Sequence, residues 1–379
     1  MNPQTRAAHT SEASDTCGVL ITSAAGKTGI PTTLGLLEKG YRVRAFVRQD
    51  DARAQRLRRA GAEIQVGNLG DSRDIRKAMI GMSRAYFCPP THANGLHYAS
   101  VFAVEARHSM LEHIVTMGQW LAHESHPSLL TREVWLAQQI IDQLPGITHT
   151  NINVGWFAAN YFFVLRPIAQ LGMMPMPLGD GLNPPPSDED IARVVVGALD
   201  RPDLHAGKQY RPTGPELLSP QQITDSIARA LGRKVKYKPV SERMLLKSLQ
   251  ADRWPVIMQT QFVRYLDEYR RGVFAIGGAT DAVLKVSGRL AEDFDTIAKR
   301  VVRQDPYARV SLGSRLSAMG NMARAMMTKP IDPIATERER DHALIKDGRM
   351  CLDAPAWVQR YGTHQPSESE GQASNMLIV

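Results

Sequence analysis

The chain has 379 residues, 43% of them hydrophobic, enough for one large domain with additions or for two domains, which excludes disorder of the whole. Lys and Arg number 46 against 38 Asp and Glu, and the resulting charge of +8 is spread along the chain, which suits a small ligand carrying phosphate. The densest basic cluster, Arg53, Arg56, Arg58 and Arg59, has no aromatic residues interleaved with it, so nucleic acid is not an expected partner.

Taken in chain order, residues 1–16 read as a loose polar tail without the apolar segment of a signal peptide. Val19, Leu20 and Ile21, within 18–22, form the short continuous apolar run of a parallel strand buried on both faces. A glycine turn and a helix over 31–39, stopped by Gly40, lead to a second strand over 41–47. Helices over 52–60 and 72–80, closed by Gly61 and Gly81, alternate with strands over 63–66 and 85–88. A helix over 98–107, a strand over 113–117, a helix over 132–144 and a strand over 148–154 continue the pattern. This alternation predicts an α/β fold with a Rossmann-type doubly wound parallel sheet.

Beyond residue 160 the texture changes. Residues 171–186 are dense in Gly, Pro and Met and suggest a loop or lid over a cleft. Helices are expected over 188–199, 219–231 and most of 241–272, with strands over 209–212 and 235–240. The expected division is a tail over 1–16, a dinucleotide-binding domain over 17–160, a smaller substrate-binding part over 161–302 with some strands joining the main sheet, a helical extension over 303–362, and a second tail over 363–379. Residues 303–361 pack either on the substrate part or on another subunit of a homo-oligomer. Cys17, Cys88 and Cys351 are far apart without CxxC spacing, so no zinc site or disulfide framework is expected. No run of about 18 apolar residues suggests a membrane span, and a reducing cytoplasm is the expected location.

The turn Ser23, Ala24, Ala25, Gly26, Lys27, Thr28, Gly29 joins the first strand to the first helix, where free N–H groups and the helix dipole favour an anion. Ser23 stands where the first glycine of a GxxGxxG pattern is expected. Arg48, at the end of the second strand, replaces the acidic residue that would bind a ribose 2′-hydroxyl and suits a 2′-phosphate, which favours NADP(H) over NAD(H). Asp50 and Asp51 follow and keep a ribose contact open, and Arg44 is a further basic candidate.

The run TSAAGKTG with VRAFVR, GNLGD and FCPP, followed by NVGWFAAN, DEDIARVVVGAL and RPTGPELLSPQQI, resembles the NmrA-like family of atypical short-chain dehydrogenases over about residues 18–302. The resemblance implies an NAD(P)-binding Rossmann domain with a smaller part closing over the nicotinamide, used either by reductases or by redox sensors. It also implies that Gly26, Lys27 and Gly29 hold the pyrophosphate and Arg48 the 2′-phosphate. Asn68 and Leu69 would lie at the adenine, and Cys88, Pro89 and Pro90 beside the nicotinamide ribose.

Short-chain dehydrogenases protonate substrate with a Tyr whose pKa is lowered by a Lys four residues later. Thr131 and Trp135 fall at those positions, no lysine occurs between Lys77 and Lys208, and Met117, Gly118 and Gln119 replace the usual serine. The loop after the fifth strand carries Trp120, His123 and His126, and either histidine is a candidate acid, with Tyr161 a third. Trp156, Phe157, Asn160, Met173 and Met174 complete the candidate pocket for a small-molecule substrate. The expectation is an NAD(P)H-dependent reductase of an apolar carbonyl, quinone or activated alkene, with a non-catalytic NAD(P) sensor as the alternative.

Overall fold

Val19, Leu20 and Ile21 are fully buried because the strand they form, β1 (Gly18–Ile21), pairs on both edges and is covered on both faces. In the computed structural model, which describes residues 17–340, 345 and 347–362, β1 lies near the middle of a parallel sheet. Strand and helix alternate as α1 (Gly29–Glu38), β2 (Arg42–Val47), α2 (Ala52–Arg59), β3 (Glu63–Val66), α3 (Ser72–Met79), β4 (Arg84–Phe87), α4 (Gly95–Arg107), β5 (His113–Gln119), α5 (Leu129–Asp142) and β6 (Thr148–Val154). The order across the sheet is β3-β2-β1-β4-β5-β6, the doubly wound order, and a short seventh strand from later in the chain pairs parallel to β6. Gly40, at φ +83, ends the first helix in a conformation that side chains disfavour.

The later chain forms α6 (Leu165–Leu171), β7 (Met173–Pro175), α7 (Asp188–Asp200), α8 (Pro202–His205), β8 (Gln209–Tyr210), α9 (Pro220–Leu231) and β9 (Lys236–Lys238). Seven further helices follow: α10 (Glu242–Ala251), α11 (Val256–Arg270), α12 (Ala282–Ser287), α13 (Phe294–Gln304), α14 (Leu312–Met327), α15 (Pro333–Glu339) and α16 (Pro355–Tyr361). β8 is the seventh strand of the main sheet, whereas β7 and β9 make a separate parallel pair. Ser219 caps α9 with a full capping box to Gln222, and Pro220 occupies its first turn.

Residues 171–186 differ from the lid expected of them. Met173–Pro175 is a strand, and Met174, Met176 and Leu178 are buried in the core of the C-terminal part with Trp156, Tyr161 and Tyr269. The segment's Met and Pro content serves packing between sheet pair and helices. The tails over 1–16 and 363–379 lie outside the described residues. Among the described residues no helix is long and apolar enough to cross a membrane, and the three cysteines are unpaired.

Candidate functional site

The β1–α1 turn is held by its own backbone. Ser23 sits at φ +49, in the left-handed region, and its carbonyl accepts the Gly26 N–H at 2.8 Å while Ala24 N–H reaches Phe46 O at 3.2 Å. A Cβ on Gly29 would press on the Ser23 carbonyl and lie 2.8 Å from the Ala24 backbone, so the turn closes only around a glycine. Thr28, the N-cap of α1, makes no side-chain cap; its hydroxyl bonds Tyr86 Oη at 3.2 Å instead. The helix start is thus left without a side-chain acceptor, as an anion site requires.

A cleft of about 330 Å³ opens beside this turn, lined by Ser23, Ala25, Gly26, Arg48, Asn68, Leu69 and Pro90 among others. Arg48 is exposed there and has no hydrogen bond or ion pair with another described residue. Its acidic neighbours are engaged elsewhere: Asp50 pairs with Arg58 at 2.8 Å, and Asp51 caps α2 and pairs with Arg53 at 2.6 Å. Arg53 also lines the cleft, and its guanidinium reaches Ala25 O at 3.4 Å. It is a second cation that the sequence reading left on a helix surface. Arg44 turns away, buried, to donate to Ala78 O and Ile80 O at 2.8 Å and to pair with Glu63.

The other cofactor candidates lie around the same strand ends. Asn68 Oδ1 accepts the Gly70 N–H at 2.9 Å, which fixes the loop after β3. Cys88 N–H donates to Thr22 Oγ1 at 2.8 Å, and burial pushes its thiol pKa up. Met117 and Phe157 are half-buried against the core under β1. Lys27 is exposed, its ammonium 5.0 Å from the Phe163 ring centre. It also faces Asp188, a residue the sequence reading did not single out. Burial pushes the Asp188 carboxyl up to about 6 against the pull of Lys27, and one of its oxygens is buried without a hydrogen bond.

The three acid candidates are placed elsewhere, which corrects the expectation that they face an open cleft. Tyr161 is fully buried, its hydroxyl bonded to Tyr269 Oη at 2.8 Å and to Asn183 Nδ2 at 2.9 Å, and burial raises its pKa. His123 and His126 are 6% and 0% exposed. Burial, then the neighbouring His126, holds His123 down to about 4; His126 is lowered too, by burial above all, with Glu268 opposing. They are buried because the C-terminal segment covers their loop: Arg349 N–H donates to Ser125 O at 2.7 Å, and Trp357 Nε1 donates to Trp120 O at 3.2 Å.

Trp120 is itself buried between Trp357 and Tyr361, with the Arg211 guanidinium 4.0 Å from its ring centre. Thr131 is buried beside Tyr265, and Trp156 packs among Phe262, Tyr269 and Phe274. Trp120, Thr131, Trp156 and Met174 are therefore core residues and not walls of an open pocket. Trp135, Asn160 and Met173 remain half-buried. A second cleft of about 320 Å³, between α9 and the start of α13, is acidic and lined by none of the turn's residues; its Asp295 pairs with Arg229 at 2.6 Å. The cleft at the turn, with its free arginine, is the better candidate.

Residues 23–143 match the family described as NAD(P)H-binding. The chain is 26% identical over 285 residues to the NAD(P)H azoreductase of Xenophilus azovorans, covering 74% of this chain and 96% of that protein. It superposes on the Citrobacter sp. triphenylmethane reductase complexed with NADP(H) with a TM-score of 0.65 at 20% identity, over 74% of this chain and 99% of that one. NmrA, a negative transcriptional regulator complexed with NADP, superposes with a TM-score of 0.60 at 16% identity, over 78% and 100% of the two chains. Residues 23–143 thus match an NAD(P)H-binding domain, and the chain has the Rossmann fold that these solved structures share.

Proposed function

We propose that this chain, an NAD(P)H-binding protein with the NmrA-like fold, is a reductase that uses NADPH in preference to NADH and passes hydride to an apolar carbonyl, quinone or activated alkene. The observation that carries this reading is the cleft at the β1–α1 turn, where Arg48 is exposed and unpaired while Asp50 and Asp51 are engaged. A ribose 2′-phosphate satisfies that arginine, and Arg53 stands close enough to share it. Gly26, Gly29 and Lys27 hold the pyrophosphate, Asn68 and Leu69 flank the adenine, and Cys88, Pro89, Pro90 and Met117 flank the nicotinamide ribose. The bound dinucleotide supplies a hydride, and the protein's part is to bind, orient and exclude water.

With no Tyr and Lys pair, and with His123, His126 and Tyr161 sealed inside, the product proton comes from water in this reading. Quinones and azo compounds suit such a site because their reduced oxygens or nitrogens take protons directly from solvent. The match to an NAD(P)H azoreductase along nearly its whole length supports turnover. The same sealing of every acid candidate supports a second reading, a sensor that binds NAD(P) without turnover, as does the likeness to NmrA.

Separate titrations with NADPH and NADH, followed by a screen of azo dyes, quinones, aryl ketones and enones for NADPH oxidation, decide between them. Tighter NADPH binding with substrate-dependent oxidation is expected. Tight binding with no oxidation above background by any acceptor overturns the reductase reading in favour of the sensor.

A further inference from the structure

His123, His126 and Cys351 belong to stretches more than 200 residues apart, yet their ligand atoms, one from each, all lie within 4.8 Å of one another in the interior. Glu268 of α11, 0% exposed, borders the group: its carboxylate is 3.5 Å from His126 Nε2 and accepts the Cys351 N–H at 2.6 Å. His123 Nε2, His126 Nε2 and Glu268 Oε2 are buried without a hydrogen bond among the described residues. Their convergence is costly, since they have lost water and gained only the 3.5 Å ion-pair contact between His126 and Glu268.

We propose that His123, His126, Cys351 and Glu268 form a structural site for a divalent transition-metal ion with the chemistry of zinc. Two imidazoles, a thiolate and a carboxylate are a donor set that zinc takes tetrahedrally, and four protein ligands in a buried position leave no open place for catalysis. Bond lengths of about 2.0–2.3 Å put ligand atoms roughly 3.3–3.8 Å apart, so the side chains close by about an ångström. The Cys351 thiol gives its proton to solvent as the metal binds. At His126, Nδ1 now accepts the Ser128 N–H at 3.0 Å. Coordination through Nε2 moves the ring proton to Nδ1 and gives up that bond, and the Cys351 thiol gives up its 3.7 Å contact with Leu121 O, while the groups left without a hydrogen bond gain a partner. The metal pins the C-terminal segment to the loop after β5 and to α11, three parts of the chain that local sequence does not connect.

The test uses the full chain and needs no cofactor. After exposure to zinc and dialysis into metal-free buffer, one zinc per chain is expected by elemental analysis. Cobalt substitution is expected to give the visible bands of a tetrahedral ion and a near-ultraviolet thiolate charge-transfer band. Cys351→Ser should abolish the thiolate band with the far-ultraviolet dichroism unchanged; if that variant does not fold, His123→Gln should weaken or abolish the tetrahedral bands. Zinc that washes out of the unaltered chain, or a cobalt spectrum without a thiolate band, overturns the proposal. So does a thiolate band that survives in folded Cys351→Ser, which would assign it to Cys17 or Cys88.

Discussion

Ser23 shows a motif kept in geometry and lost in letters. The expected glycine is absent, but the backbone still takes φ +49, which costs a non-glycine residue about 1–2 kcal/mol. The turn accepts that strain because it places the Ser23 carbonyl on the Gly26 N–H. Arg48 matters more for specificity. It brings an unpaired charge to the cleft, so in the proposed reading its contribution goes to a bound 2′-phosphate and not to the fold. Arg48→Ala is expected to weaken NADP binding by about 2 kcal/mol, roughly 30-fold, on the scale of a charge-assisted hydrogen bond, with NAD affinity nearly unchanged. Calorimetry with each dinucleotide checks this, and equal losses for both would mean that Arg48 acts on the turn and not on the phosphate.

At the scale of elements, α7 joins the cleft to the body. Ser187 caps it by accepting the Asp190 N–H at 2.9 Å, and Asp188, Glu189 and Asp190 in its first turn complement the helix dipole. Gly35 on α1 lies against Val196 of α7, where a Cβ would be 3.2 Å from its side chain, so the helices cross closely. Burial of Asp188 opposes the favourable dipole and wins, raising its pKa from 3.8 to about 6. A carboxyl raised on folding is most compatible with the native state below its unfolded value and opposes folding as pH rises through the folded one. Asp188→Asn removes that penalty. The variant is therefore expected to be about 3 kcal/mol more stable well above pH 6, with the gain fading below it and absent under pH 4. Urea unfolding across that range is the measurement, and a gain independent of pH would point to packing instead of titration.

For the whole molecule, the decisive feature is where the C-terminal segment lies. Trp357 is 2% exposed, its ring centre 5.6 Å from that of Trp120, and Tyr361 packs on the same indole at 4.3 Å. The segment thus covers the loop after β5 at the carboxyl edge of the sheet, the edge where open α/β folds bind ligands. Trp357→Ala is expected to cost about 3–5 kcal/mol, as truncation of a buried tryptophan does. It should also expose the segment to limited proteolysis. A loss below about 1 kcal/mol, as for an ordinary surface change, would show that the segment docks without joining the cooperative core.

The sequence alone determined the parallel sheet and the glycine turn after its first strand, and it singled out Arg48 as the residue proposed to read the cofactor. Those features are local: apolar runs, glycine stops and strand-to-helix spacing act within about twenty residues. The pairing of β7 with β9, which makes Met174 a core residue, was not legible, because Met173–Pro175 meets Lys236–Lys238 across some sixty residues of unrelated pattern. The fate of the acid candidates was further out of reach. His123 and His126 read as loop histidines and Tyr161 as either a cleft or a core residue until Cys351, Trp357, Glu268 and Tyr269 are brought over them. Burial depends on which distant segments come to rest on a residue, as when Cys351 packs on Leu121 at a separation of 230 residues, and no local periodicity encodes that.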